Sequence, residues 1–154
     1  MSIRPSKYDA LEFQPPFIDR AEVRMPSNRM RVLIVDDDPF IRDSLFEILS
    51  AYRFRVRCAD GACAALAAIR QEVPDLLLCD LNMPGLSGFE LLSAVRHRFP
   101  LLYVIAMSGS FFGDAVPPGV AADAFYPKSS GINTLLEIIA STAGLPAVRT
   151  ERSA

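Results

Sequence analysis

Residues 32–40 read VLIVDDDPF: four aliphatic side chains, three aspartates in a row, then a proline and a phenylalanine. A short aliphatic run rich in β-branched residues suits a strand buried on both faces. The proline fits the first position of a helix, and the aspartate before it fits the cap. The stretch therefore reads as a buried strand, a tight acidic loop and the start of a helix. Its three carboxylates need a reason, because adjacent like charges repel and a carboxylate beside a low-dielectric core loses hydration. Such a cluster persists where its members point into water, cap a helix or meet a cation.

The same rhythm repeats downstream. Arg31–Val35 is the first predicted strand, and the helix after it carries Ile41, Leu45, Ile48, Leu49 and Tyr52 on one face. Phe54–Cys58 is a second strand, and the alanine-rich Asp60–Gln71 a helix. Asp75–Cys79 (DLLLC) is a third strand ending at Asp80, and Gly88–Phe99 returns to a helical period. Leu101–Met107, a short Ala124–Tyr126 and a closing helix Ile132–Ala143 complete the series. Strands alternating with helices at this spacing predict an α/β fold with a parallel sheet covered on both faces. In such sheets the ligand site lies just beyond the carboxyl ends of the strands.

At 154 residues the chain suits one domain with a proper core. That domain spans 30–143, after a proline-rich extension (1–29, with four prolines), flexible or packed only locally, and before a tail over 144–154. Half the residues are hydrophobic (51%), which excludes a disordered polar chain. A net charge of −2 gives no electrostatic case for nucleic acid or an anionic membrane. The alternation Arg53-Phe54-Arg55-Val56-Arg57 reads as the wet side of a strand, and the lone His97 as a surface residue. Cys58, Cys63 and Cys79 lack any metal-ligand spacing and read as small core hydrophobes. With no signal peptide and no membrane-length apolar run, a soluble cytoplasmic protein is expected.

The strand ends gather the chemistry. Asp36 and Asp37 follow the first strand, Asp80 the third, Ser108 the fourth and Lys128 the fifth. Three carboxylates on one sheet edge suit a hard divalent cation, Mg²⁺ or Mn²⁺. A hydroxyl and an ammonium opposite them suit a tetrahedral anion such as phosphoryl. Singly, each residue has a plainer reading as a solvated loop acid, a cap, a turn residue or a surface charge. All five at strand ends, in this order, favour a site. Asp38 stands apart, since capping the Pro39 helix is sufficient explanation for it.

These motifs resemble the receiver domains of two-component response regulators over about residues 30–143. The resemblance rests on VLIVDDDP, LLLCDLNMPGLSGFELL, VIAMSGS and FYPKS, of which the second is the most specific. It implies a doubly wound, CheY-like (flavodoxin-like) sheet of five parallel strands in the order 2-1-3-4-5. It implies that Asp80 accepts a phosphoryl group from a histidine kinase or phosphotransfer protein. Asp37, Asp80 and the backbone carbonyl of Asn82 would ligate Mg²⁺ directly, and Asp36 largely through water. Lys128 would pair with Asp80 and then with the phosphoryl group. Ser108 would gain its partner on phosphorylation and draw its loop inward, with Phe125 as the switch aromatic.

Two features depart from the family pattern. Lys128 is followed by Ser129 where proline is usual, so a cis bond there would be costly. The segment GSFFGDAVPPGVAADAFYP carries Pro117-Pro118-Gly119 where the family has a helix, so an irregular or shortened fourth helix is expected. Phe111 and Phe112 either pack over the sheet edge, the favoured expectation, or stay exposed as a docking patch. Only eleven residues follow Ala143, so a stand-alone receiver is expected, monomeric or weakly dimeric, without nucleic-acid binding or membrane insertion. It would be no enzyme beyond its own phosphoryl transfer and dephosphorylation, and would signal to a downstream protein or pass phosphoryl onward. The alternative is an atypical receiver that acts as an interaction module without phosphorylation. An aspartyl phosphatase would usually carry a second aspartate two residues after the nucleophile, where Asn82 stands.

Overall fold

The computed structural model describes residues 30–85, 88–109 and 116–142. The extension over 1–29, the Phe111-Phe112 pair and the tail over 144–154 lie outside the described residues. The elements are β1 (Arg31–Val35), α1 (Pro39–Ala51), β2 (Arg55–Ala59), α2 (Ala62–Gln71), β3 (Leu76–Asp80) and α3 (Gly88–Arg98). They continue with β4 (Tyr103–Ser108), β5 (Ala124–Pro127), a 3₁₀ turn (Lys128–Ser130) and α4 (Ile132–Thr142). All strand pairs are parallel, in the order β2-β1-β3-β4-β5. This is the doubly wound sheet the sequence predicts.

The alternation of the pleat sorts the core into two layers. Val32, Ile34, Leu76, Leu78, Ile105 and Met107 pack with Leu45 and Leu49 of α1 and with Leu135, Leu136 and Ile139 of α4. Leu33, Val35, Leu77, Cys79, Val104 and Ala106 face the other way, onto Ala65 and Ile69 of α2 and Leu91, Leu92 and Val95 of α3. Each fully buried Leu or Ile contributes about 1.5–3 kcal/mol over an exposed one. The central strands therefore cannot slip register without reversing both layers.

Local chemistry fixes the ends of the elements. Asp38 caps α1, its Oδ1 accepting the Phe40 N–H at 2.9 Å, with Pro39 at the first position. At the other end Arg53 lies at φ +68°, a left-handed residue in the place glycine usually takes after a helix. The Arg53–Arg57 alternation is thus not simply a wet strand face. Arg57 turns its guanidinium onto the last carbonyls of α2, with Nη1 donating to Ala68 O at 2.8 Å and Nη2 to Glu72 O. A cation there also complements the negative end of the helix.

Cys79 is buried, as expected, but Cys58 and Cys63 are exposed. The reason is position: Cys58 lies on an edge strand, and Cys63 sits on α2 outside its buried face of Ala62, Ala65 and Ile69. His97 is exposed, as the sequence suggests, and Met83 is packed into the core. Residues 116–123, the described part of the segment before β5, contain no helix. Pro118 and Gly119 (φ +80°) form a turn closed by Val120 N–H to Pro117 O at 3.2 Å. A proline followed by a left-handed glycine defines a type II turn. Among the described residues no peptide bond is cis, and Lys128 instead opens the 3₁₀ turn that leads to Gly131 (φ +84°).

Candidate functional site

The parallel strands deliver Asp36, Asp80, Ser108 and Lys128 to one edge. Asp36 follows β1 and is completely buried, with its main-chain N–H bonded to Ala59 O at 3.2 Å. Its Oδ1 accepts the Asp38 N–H at 2.9 Å, and its Oδ2 forms an ion pair with Lys128 Nζ at 2.8 Å. Asp37 projects into solvent. Asp80 closes β3 and is 3% exposed, with Oδ1 accepting the Asn82 N–H at 3.2 Å and Oδ2 lying 3.4 Å from Lys128 Nζ. Lys128 therefore bridges two acids and sits nearer Asp36 than Asp80.

Carboxylate oxygens of Asp36, Asp37 and Asp80 all lie within 4.8 Å of one another. Burial pushes the Asp80 carboxyl above the ordinary carboxylate range; the Asn82 N–H opposes the shift, Asp36 adds to it and Lys128 opposes it. Burial alone would lower the Lys128 ammonium, but Asp36 and Asp80 outweigh it and raise the group above its ordinary value. Lys128 thus stays charged. Three carboxylates against one ammonium leave a surplus of two negative charges at the cluster. All-oxygen donors with that surplus and one exposed flank (Asp37) fit a divalent cation that keeps several waters. Asp37, Asp80 and the Asn82 carbonyl would supply direct ligands. Both Asp36 oxygens are already engaged, which suits contact through water.

Two contributors, Gly88 and Arg42, were not singled out from the sequence. Gly88 opens α3 against the peptide that carries Asp80: a Cβ there would lie 2.2 Å from Asp80 O and 2.7 Å from Leu81 Cα. A glycine at the first residue of a predicted helix is the one signal that could have flagged it. Arg42 of α1 donates from Nη1 to the Asp36 carbonyl at 2.8 Å, bracing the acidic loop. The Asn82 side chain donates from Nδ2 to Ser108 Oγ at 3.0 Å. Ser108, which is fully buried, thus has a partner already and does not first acquire one on phosphorylation. Phe125 is buried against the core, paired in register with Ala106.

Buried parallel strands that end in an acidic cluster, a hydroxyl and a lysine define a receiver-type domain. A model of the family described as response regulator receiver domain matches residues 32–140, and the chain belongs to that family. The DNA-binding transcriptional regulator NtrC of Salmonella typhimurium is 33% identical over 110 residues, covering 70% of this chain and 24% of its own length. The chain thus spans about a quarter of that relative. The structure of TrrA from Thermotoga maritima with Mg²⁺ and BeF superposes with a TM-score of 0.66 at 29% identity, covering 71% of this chain and 96% of that one. TrrA bound to the histidine kinase ThkA gives a TM-score of 0.65 at 29% identity, covering 71% and 95%. This chain is therefore a two-component receiver domain.

Proposed function

We propose that Asp80 accepts a phosphoryl group from the phosphohistidine of a histidine kinase or phosphotransfer protein, and that the phosphorylated domain binds a downstream protein. One observation carries this reading: the buried Asp80 carboxylate lies 3.4 Å from the Lys128 ammonium and within 4.8 Å of two further carboxylates. A carboxylate oxygen of Asp80 attacks phosphorus as the P–N bond breaks, and the imidazole nitrogen takes the electron pair and then a proton from solvent water. Bound Mg²⁺ (or Mn²⁺) would offset charge on the equatorial oxygens. Lys128 supplies the other cation and can follow the charge from carboxylate to phosphoryl with little movement. The Asn82 N–H holds Oδ1 and so orients the nucleophile. The ThkA–TrrA complex, formed by a protein of the same fold, supports a histidine kinase as the donor.

The domain's own chemistry ends at phosphoryl transfer and hydrolysis of the resulting acyl phosphate. We place it in the cytoplasm, a reducing compartment in which its three free thiols stay reduced. Among the described residues no helix is long and apolar enough to cross a membrane.

Intact-protein mass spectrometry after incubation with acetyl phosphate and Mg²⁺ tests the assignment. Wild type is expected to gain one phosphoryl group and Asp80→Asn none. A phosphoryl group on Asp80→Asn, or none on a wild type that binds Mg²⁺, would overturn it.

A further inference from the structure

The main chain is pinned on both sides of Asp37, and Arg42 supplies two of the pins. Its guanidinium donates from Nη1 to the Asp36 carbonyl at 2.8 Å, and its main-chain N–H donates to the Asp38 carbonyl at 3.0 Å. A third pin is the Asp38 N–H, held by Asp36 Oδ1 at 2.9 Å. Both peptides that flank Asp37 are therefore fixed, while its side chain projects into solvent. The guanidinium stands on α1, which is anchored in the core by Leu45 and Leu49. A loop tied to such an element is held more precisely than one left to itself.

We propose that Arg42 is a positioning residue for cation binding: it holds the peptide between Asp36 and Asp37 so that the Asp37 carboxylate stays beside that of Asp80. The proposal rests on the acidic cluster being a divalent-cation site. Two effects of the guanidinium on that cation have opposite signs. As a positive charge near three carboxylates it repels a dication, so its loss alone would tighten binding. As a pin it keeps the loop in the competent arrangement, and its loss lowers the affinity by the fraction of loops that stay competent. The guanidinium bond ends on a main-chain oxygen and so takes no carboxylate from the cation. Water and salt at the exposed flank screen the repulsion. Positioning therefore outweighs charge.

Calorimetric titration of the full chain with Mg²⁺ reads that sign. Arg42→Met removes the charge and the donor but keeps an apolar stem and a good helix former, so α1 is retained. Its Mg²⁺ dissociation constant is expected to rise about fivefold, the scale of one lost hydrogen bond. Unchanged or tighter binding overturns the proposal.

A second measurement needs no metal and separates local positioning from a loosened fold. In ¹⁵N relaxation of the metal-free protein, the Asp37 and Asp38 amides are expected to lose order in Arg42→Met, with those of β1 and β3 unmoved. Loop amides that keep their order, or a loss spread evenly over the sheet, overturn the proposal. A wild type that binds no Mg²⁺ overturns the cation reading of the cluster, and the relaxation data then still decide whether Arg42 holds the loop.

Discussion

Aspartates stand at both edges of the sheet, and the two edges treat them in opposite ways. At the amino edge Asp75 precedes β3 and Asp123 precedes β5. Asp75 Oδ2 accepts the Arg31 N–H at 2.8 Å and Nε at 3.3 Å, and its main-chain N–H returns to Arg31 O at 2.9 Å. Asp123 repeats the device on β4: Oδ2 accepts the Val104 N–H and Arg96 Nη2, each at 2.8 Å, and its N–H returns to Val104 O at 2.8 Å. Each of these acids has its own arginine and its own strand. At the carboxyl edge two buried acids share one lysine and a third acid, Asp37, stands beside them. Charge balance, not the presence of aspartate, separates a clasp from a site.

That contrast can be broken by neutralising one acid at a time. The largest effect is expected from Asp37→Asn, which removes a direct ligand and should weaken Mg²⁺ at least about tenfold by calorimetry, since outer partners alone are worth that much. Asp38→Ser, one residue on, should leave Mg²⁺ affinity near wild type because serine also caps a helix. Asp123→Ala should do the reverse. It strands the Val104 N–H and takes the carboxylate from Arg96, which keeps its bonds to Pro100 O and Leu102 O, and is expected to cost about 1–3 kcal/mol in denaturant unfolding, with Mg²⁺ affinity unmoved. If Asp123→Ala weakened Mg²⁺ as strongly as Asp37→Asn, the division between the edges would fail.

Stability of the metal-free protein sharpens the comparison. Asp80→Asn relieves a buried, surplus carboxylate and should raise the melting temperature in the absence of metal, whereas Asp123→Asn should lower it. A fall in both would mean that the pocket acids hold the fold together as the clasps do. Gly88→Ala forces a Cβ into the Asp80 peptide and is expected to cost about 1–3 kcal/mol as an overpacked contact, read by thermal melting. The smallest effect is expected from Arg53→Gly at the left-handed residue after α1. It should stabilise by no more than about 1 kcal/mol, because glycine enters that region freely while losing more backbone entropy on folding.

The strands were legible because β1, β3 and β4 are apolar on both faces, a pattern that only a covered sheet needs. The site was legible because its residues follow those strands directly, so that topology alone brings Asp36, Asp80, Ser108 and Lys128 together. What escaped depends on distances between separate segments. The Asn82–Ser108 bond and the grip of Arg57 on α2 have no period and no local signature, and the backbone approach at Gly88 leaves only a glycine at the start of the predicted helix. Cys58 and Cys63 misled for a related reason: neighbours in sequence were apolar or small, but an edge strand and an outward helix face leave them uncovered.

The close contact at Gly88 bears on direction. Main chain meets main chain there, and main chain cannot rotate aside as a side chain can. The peptide bearing Asp80 therefore has a hard stop behind it, formed by the first residue of α3. When the charge on Asp80 changes, the retreat toward α3 is closed. Under the proposed phosphorylation, a shift of that peptide would instead have to run away from α3, on the side of the pocket where Ser108 and Lys128 lie. A missing side chain would thus act as the recoil plate of the proposed switch.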